Sequence, residues 1–486
     1  MYFITMLASF VVPRIMIGVY GSEINGLVSS ITQFIAYFNL LGVGISAAAV
    51  WALYKPLAEE NYDVVSSIVV TAKNNYKKAG LVFIFFTIIL ATLYPIYVEI
   101  NSLSKVETFL LILVIGASGV IELFTLARCQ VLLTADQKLY VISLVAVVAI
   151  ILNTIIIAVL SYFKINIIIV RFVALLSVFT RSIILNLYIK KNYKYINYRV
   201  KNRTKLSKWW PATFQQLLSI VQTGGPIVLA TIFTDLKVVS IYTVFNLITS
   251  GINSILSVFR SGVYSTFGNI LSKDESDTLK NVYNEFELGY YTLVAIVYSV
   301  AAIMIMPFIR LYTKDIADIN YDIPFLGFLM ILNGLFINLK TPQNTMIVAA
   351  GWYKETQKQN VIQCLILVII GSIFGYYFGI NGIVIASILS NIYTNINFAI
   401  MVPKYLLKIS SKSTIFRIII IILLFFSIVL ISQHNKLIVY NFKEWIFISI
   451  IVSIIITIIT LFVMFVFDRK TLLEICHRFV SISYKK

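Results

Sequence analysis

The sequence predicts an all-α polytopic membrane protein with about 14 transmembrane helices, arranged as two pseudo-symmetric six-helix lobes plus two C-terminal helices. Three observations carry this. First, 59% of residues are hydrophobic and 12% charged, half the roughly 25% charge of a soluble domain. That leaves too little polar surface for a water-borne globule, so lipid is the solvent. Second, many apolar runs reach the roughly 20 residues that cross the hydrocarbon, as over 108–133 and 445–467. Unpaired backbone amides are not tolerated in lipid, so these runs must be helices. They also lack the alternation of about ten residues that barrel strands show. Third, a layout recurs 214 positions on. Glu59, Glu60 and Asp63 follow one long helix, and Asp274, Glu275 and Asp277 follow another. Each cluster leads into an amphipathic stretch ending in an aromatic, Tyr76 and Tyr290.

Taken in order, the predicted spans of the first lobe are 1–20, 24–54, 79–98, 108–133, 139–162 and 165–189. Those of the second are 211–233, 238–264, 288–309, 323–350, 361–378 and 383–402, and two more follow at 414–431 and 445–467. The division is therefore an N-lobe over 1–189, a basic linker over 190–210, a C-lobe over 211–402, two further spans over 403–467 and a tail over 468–486. Six spans per lobe is an even number, so both lobes face the same way and their pseudo-twofold axis lies along the membrane normal. The first span lacks the basic n-region and small-residue site of a cleavable signal. With the N-terminus inside, most of the 39 Lys and Arg fall in cytoplasmic loops and tail, which places both termini in the cytoplasm. The run Lys190–Lys208 holds eight basic and no acidic residues. Lying between two spans, it reads as an anchor for anionic lipid rather than a nucleic-acid site, so the net charge of +18 reports topology.

No catalytic constellation appears. Cys129, Cys364 and Cys476 have no metal-ligand or CxxC spacing, and His434 and His477 fall in loop and tail. There is no P-loop, no cofactor motif and no inserted soluble domain, so the chain is read as a transporter and not an enzyme.

The chemistry lies in charges inside the spans. Arg14, Arg128, Arg171, Arg181, Arg260 and Lys340 fall there, with one acid, Glu122. A charge at the bilayer centre costs about 3 kcal/mol or more unless paired or wet. One carboxylate cannot pair these cations, which points to a cavity that receives an anion, with Glu122 as a coupling candidate. Arg128, Arg171 and Arg260 lie near helix ends, where snorkelling is the competing reading. Arg14 and Lys340 lie deeper, and Arg181 is open between the two. In the eighth span Thr243, Asn246, Ser250, Asn253, Ser257 and Arg260 recur at spacings of three and four, one face of a helix. Water and helix–helix hydrogen bonds both suit such a stripe, and its terminal cation favours water. The second span carries a weaker stripe through Asn39, and the tenth adds Asn333, Lys340 and Asn344. Gly224-Gly225-Pro226 interrupts the seventh span and Pro342 the tenth, marking candidate hinges.

Two stretches, PRIMIGVYGSEINGLVSSITQFIAYFNLLGVGISAAAVWALYKPL (13–57) and TIFTDLKVVSIYTVFNLITSGINSILSVFRSGVYSTFGNIL (231–271), resemble the polysaccharide repeat-unit transporters of the multidrug/oligosaccharidyl-lipid/polysaccharide (MOP) flippase superfamily. The resemblance implies alternating-access transfer of an undecaprenyl-pyrophosphate-linked oligosaccharide from the inner to the outer leaflet of the cytoplasmic membrane, for surface polysaccharide synthesis. It implies that Arg14, Arg260 and Lys340 meet the pyrophosphate and that Asn39, Asn246 and Asn253 meet sugar hydroxyls. A polysaccharide polymerase and glycosyltransferases are the implied partners. The sequence departs from its relatives in the seventh span, where Gly224-Gly225 replaces a common acidic residue. The rival readings are a cation-coupled multidrug exporter of the same superfamily and a membrane enzyme or component of polysaccharide assembly.

Overall fold

In lipid the backbone must satisfy itself, and only a helix does so within one segment. The computed structural model follows that rule. It describes residues 2–475 apart from 199, 201–209, 274, 434–436 and 438. Asp274, His434, Cys476, His477 and the basic linker beyond Tyr198, Val200 excepted, lie outside the described residues. Among the described residues there are helices and no strand, and 12 helices are long and apolar enough to cross a membrane.

Two of these spanning segments, Ile4–Ala58 and Tyr353–Leu407, run 55 residues each. A straight helix of that length would measure about 80 Å against about 30 Å of hydrocarbon. Each is broken by one glycine. Gly21 has φ 85° and ψ 168°, and Gly379 has φ 58° and ψ −140°, backbone regions closed to residues with a Cβ. Each long helix thus supplies two spans, and 12 helices give about fourteen crossings.

The chain forms two compact units, Met1–Thr243 and Val244–Lys486. The first holds α1 (Tyr2–Ala58), α2 (Tyr62–Tyr97), α3 (Lys105–Ile121), a π-helical segment (Glu122–Leu126), α4 (Ala127–Ala135), α5 (Leu139–Tyr162), α6 (Ile167–Asn192) and α7 (Trp210–Phe233), with the start of α8 (Leu236–Ser272). Polar caps mark where helices leave the apolar layer. Asn61 caps α2, Asn166 caps α6, and Ser104 and Glu107 form a reciprocal capping box on α3, each satisfying amides that the helix leaves unpaired. The long α1 packs on α2, α4, α5 and α7, and its Leu27 and Ile31 are fully buried in a core with Phe83 and Leu111. Gly26 lets α1 touch α8 backbone to backbone, since a Cβ there would lie 1.8 Å from the Leu236 carbonyl oxygen.

The second unit holds the rest of α8, then α9 (Ser276–Tyr312), α10 (Pro324–Leu339), α11 (Thr341–Ala349), α12 (Tyr353–Met401), a π-helical turn (Val402–Leu407), α13 (Lys412–Gln433) and α14 (Phe442–Phe467). α9 packs against α10, α13 and α14. Its Tyr283, Tyr291 and Tyr298 recur at about two-turn intervals and are fully buried, so each phenol needs a partner. The repeat is visible in the elements. α2 and α9 start 214 positions apart, buried Tyr76 and Tyr290 keep that interval, and the π-helical segment has its counterpart in the break at Lys340.

Two expectations are corrected. α7 runs helically through Gly224, Gly225 and Pro226, so the seventh span is not interrupted. Gly224 instead makes room for Gln33 of α1, whose amide would lie 1.7 Å from a Cβ at that position. Nor is Glu122 the one acid inside the helices. α1 buries Glu23 and α9 buries Glu287, because both helices extend beyond the apolar runs that mark the predicted spans.

Candidate functional site

In the second unit, a helix break organises the polar residues. Proline cannot donate to the preceding turn, and with Pro342 at the start of α11 the helix parts at Lys340 (φ −84°, ψ −3°). The carbonyl of Leu339 accepts a hydrogen bond from the Tyr291 hydroxyl at 2.9 Å, and the Lys340 carbonyl receives the Asn344 amide at 2.9 Å. The Lys340 ammonium donates to Asn391 Oδ1 at 2.9 Å. That oxygen also accepts from Gln363 Nε2 at 2.9 Å, and Asn391 Nδ2 donates to Asn333 Oδ1 at 3.1 Å. Ser387 adds a bond to Asn333 at 3.1 Å. Among the described residues no carboxylate pairs with Lys340. A cation bonded to a neutral amide, with donors to spare, is the arrangement that takes an anion.

Beside it, Asn338 links three helices. Its Nδ2 donates to Asn253 Oδ1 at 2.7 Å and to the Tyr298 hydroxyl at 2.8 Å, and its Oδ1 accepts from Tyr290 at 2.8 Å. Asn253 is therefore engaged in helix–helix bonding. Asn246 bonds along its own helix, accepting from Thr249 Oγ1 at 3.0 Å. Arg260, at the end of the stripe, is exposed, and Asn344 is half-buried.

A third group is fully ionic. Glu287 is 0% exposed and accepts from Tyr283, Gln343 and Thr414, each at 2.9 Å, and from Arg417 Nη1 at 2.7 Å. Arg417 in turn donates from Nη2 to Asp468 at 2.6 Å. Three charges that could not stay in lipid alone thus tie α9, α13 and the end of α14 together. With its lone pairs taken, Glu287 is not open to a metal or organic cation.

In the first unit, two of the candidate cations, Arg181 and Arg128, have polar partners. Arg181 pairs with Glu122 at 3.5 Å, so a proposed substrate cation and the proposed coupling carboxylate neutralise each other. Arg128 Nη2 donates to Asn186 Oδ1 at 2.8 Å, and both contacts converge on α6. The π-helical segment between Glu122 and Arg128 carries an extra residue in its turn, which changes the facing of everything beyond it. Glu23 accepts from the Asn101 amide at 2.8 Å and from the Ser102 hydroxyl, anchoring the α2–α3 loop. Arg14 and Asn39 are half-buried in α1, Asn39 lying against Gly119 of α3.

Sequence reasoning based on charge finds Lys340 and passes over its partner. The signal is present, however. Ser387, Asn391 and Asn395 recur every four residues in the twelfth span, the same criterion that marks the eighth. Glu287 sits one residue before an apolar run, and Arg417 lies inside the thirteenth span.

No family model matches the chain, and no curated protein matches it in sequence. Solved structures do resemble it. One is an inward-facing multidrug resistance MATE family transporter of the MOP superfamily, at 14% identity and TM-score 0.70, over 83% of this chain and 95% of that one. Another is the lipid II flippase MurJ in an inward closed conformation, at 15% identity and TM-score 0.71, over 95% of this chain and 98% of that one. An outward-facing MATE transporter of the same superfamily gives 13% identity and TM-score 0.51, over 82% and 93%. Likeness across nearly the whole length of chains so different in sequence is likeness of fold, and the chain has the multi-span helical fold of MOP-superfamily transporters.

Proposed function

We propose that the chain flips undecaprenyl-pyrophosphate-linked oligosaccharide repeat units across the cytoplasmic membrane by alternating access, for surface polysaccharide assembly, with both termini in the cytoplasm. The observation that carries the reading is Lys340, an ammonium at a helix break with neutral amides around it and no carboxylate partner among the described residues. A diphosphate headgroup supplies the missing negative charge, and a charge-assisted hydrogen bond is about twice as strong as a neutral one. Asn391 and Asn333 beside it are buried and use their amides to hold Lys340 and each other. Arg14 and Arg260, half-buried and exposed, are further candidates for the headgroup. The fold is also that of multidrug exporters, but such a function wants a carboxylate open to a cation. Glu23, Glu122 and Glu287 all have protein partners.

Reconstitution tests this directly. Full-length protein in liposomes should move a fluorescent polyprenyl-pyrophosphate oligosaccharide between leaflets and leave a lipophilic organic cation where it started. Movement of the cation with a static lipid-linked sugar would reverse the assignment.

A further inference from the structure

A second cationic feature lies in the first unit, apart from Lys340. Lys73 of α2 and Arg128 of α4 stand against one aromatic ring. The Lys73 ammonium is 5.4 Å from the ring centre of Tyr198, and the Arg128 guanidinium carbon is 5.6 Å from it. Tyr198 is brought there by the segment that follows α6. Tyr193 donates to Asp136, Tyr195 stacks on Tyr62 at 4.1 Å, and the Asn197 amide donates to Ser66 Oγ at 3.0 Å. Burial raises the Tyr198 phenol above its ordinary range although Arg128 pulls it down, so the ring is a neutral platform for both cations.

Two positive groups sharing one ring repel each other. Among the described residues neither Lys73 nor Arg128 has a carboxylate partner. Arg128 spends one nitrogen on Asn186, while its Nε is buried with no acceptor. Lys77 follows Lys73 by one helical turn, on the same face. An orphaned buried donor, a second cation and a fixed aromatic support need an acceptor that carries charge and several oxygens.

We propose that Lys73, Arg128 and Tyr198 form a binding site for a phosphate-bearing anion. A planar guanidinium offers two parallel donors to phosphate oxygens, and an ammonium adds a point charge. The shared chemistry is an anionic phosphoryl group, supplied either by a membrane phospholipid or by a soluble or lipid-borne diphosphate. The assignment stands independently of what the chain transports, because binding is read without transport.

The test uses the detergent-purified full-length protein in two arms. One measures equilibrium binding of labelled inorganic pyrophosphate. The other measures retention of phosphatidylglycerol over phosphatidylcholine from mixed nanodiscs. Lys73→Gln with Arg128→Gln should weaken one or both by about tenfold or more, since each lost charged hydrogen bond is worth a factor of that order. Because Arg128 also holds Asn186, Tyr198→Leu provides a variant at an exposed position after α6 that leaves that bond intact, and it should weaken binding several-fold. Loss confined to the pyrophosphate arm assigns a diphosphate, and loss confined to the lipid arm assigns a phospholipid headgroup. Unchanged binding in both arms by both folded variants, or no binding by the unaltered protein in either arm, overturns the site.

Discussion

At the scale of single residues, two cations inside the helices, buried Arg417 and half-buried Lys340, answer the same problem differently. Arg417 brings its own counter-charges, and removing it leaves Glu287 buried and unpaired. Breaking such a pair costs about 3–5 kcal/mol. Arg417→Ala should therefore lower the thermal stability of the purified protein strongly, and Arg417→Ala combined with Glu287→Gln should recover part of the loss. Equal melting of Arg417→Ala and the unaltered chain would remove the ionic tie from the account. Lys340 has amides in place of a carboxylate, so its removal leaves no orphaned charge. Lys340→Ala should melt close to the unaltered protein yet lose transport of the lipid-linked substrate, with Lys340→Arg retaining part of it. Transport at the unaltered rate by Lys340→Ala would refute its role with the anion. Lys340 is legible in the sequence because a lysine inside an apolar run is conspicuous. Asn391 is not conspicuous by charge, and only its four-residue spacing with Ser387 and Asn395 marks it. Glu287 escapes because the apolar run starts at Leu288, while the helix that buries it starts at Ser276. Apolarity reports where lipid begins, not where the helix does.

At the scale of elements, the breaks carry the architecture. The turn between the first two spans and that between the eleventh and twelfth are each a single glycine in a region that L-residues avoid. Gly21→Ala should cost about 1–3 kcal/mol, the strain of holding a Cβ there. Gly26→Leu should be worse, since the side chain would meet the Leu236 backbone, and backbone cannot rotate aside as a side chain can. Fluorescence-detected size exclusion after graded heating checks both; survival of Gly26→Leu at the unaltered temperature would contradict the close crossing of α1 and α8. These breaks are readable from sequence as gaps between apolar runs. The π-helical segment at Glu122–Leu126 is not, because no residue type specifies an extra residue in a turn. Conversely, Gly224-Gly225-Pro226 looks like a break and α7 passes through it unbroken. Glycine there fits Gln33, a tertiary contact that local propensity does not record.

At the scale of the whole molecule, length and apolarity determine the membrane fold, and the count of about fourteen spans follows from twelve helices of which two are double. The same fold serves multidrug transporters and a lipid flippase among the solved structures it resembles, so fold alone does not choose the cargo. The choice rests on the sign of the unpaired charge. Where a cation exporter needs an open carboxylate, this chain presents Lys340 and holds each of Glu23, Glu122 and Glu287 in a protein contact. The most direct measurement depletes the protein from cells that make the surface polysaccharide and locates lipid-linked repeat units with a membrane-impermeant glycan label. The account predicts that intact units accumulate on the cytoplasmic leaflet, hidden from the label until the membrane is opened. Units that reach the outer leaflet and remain there unpolymerised would contradict it, placing the protein after translocation.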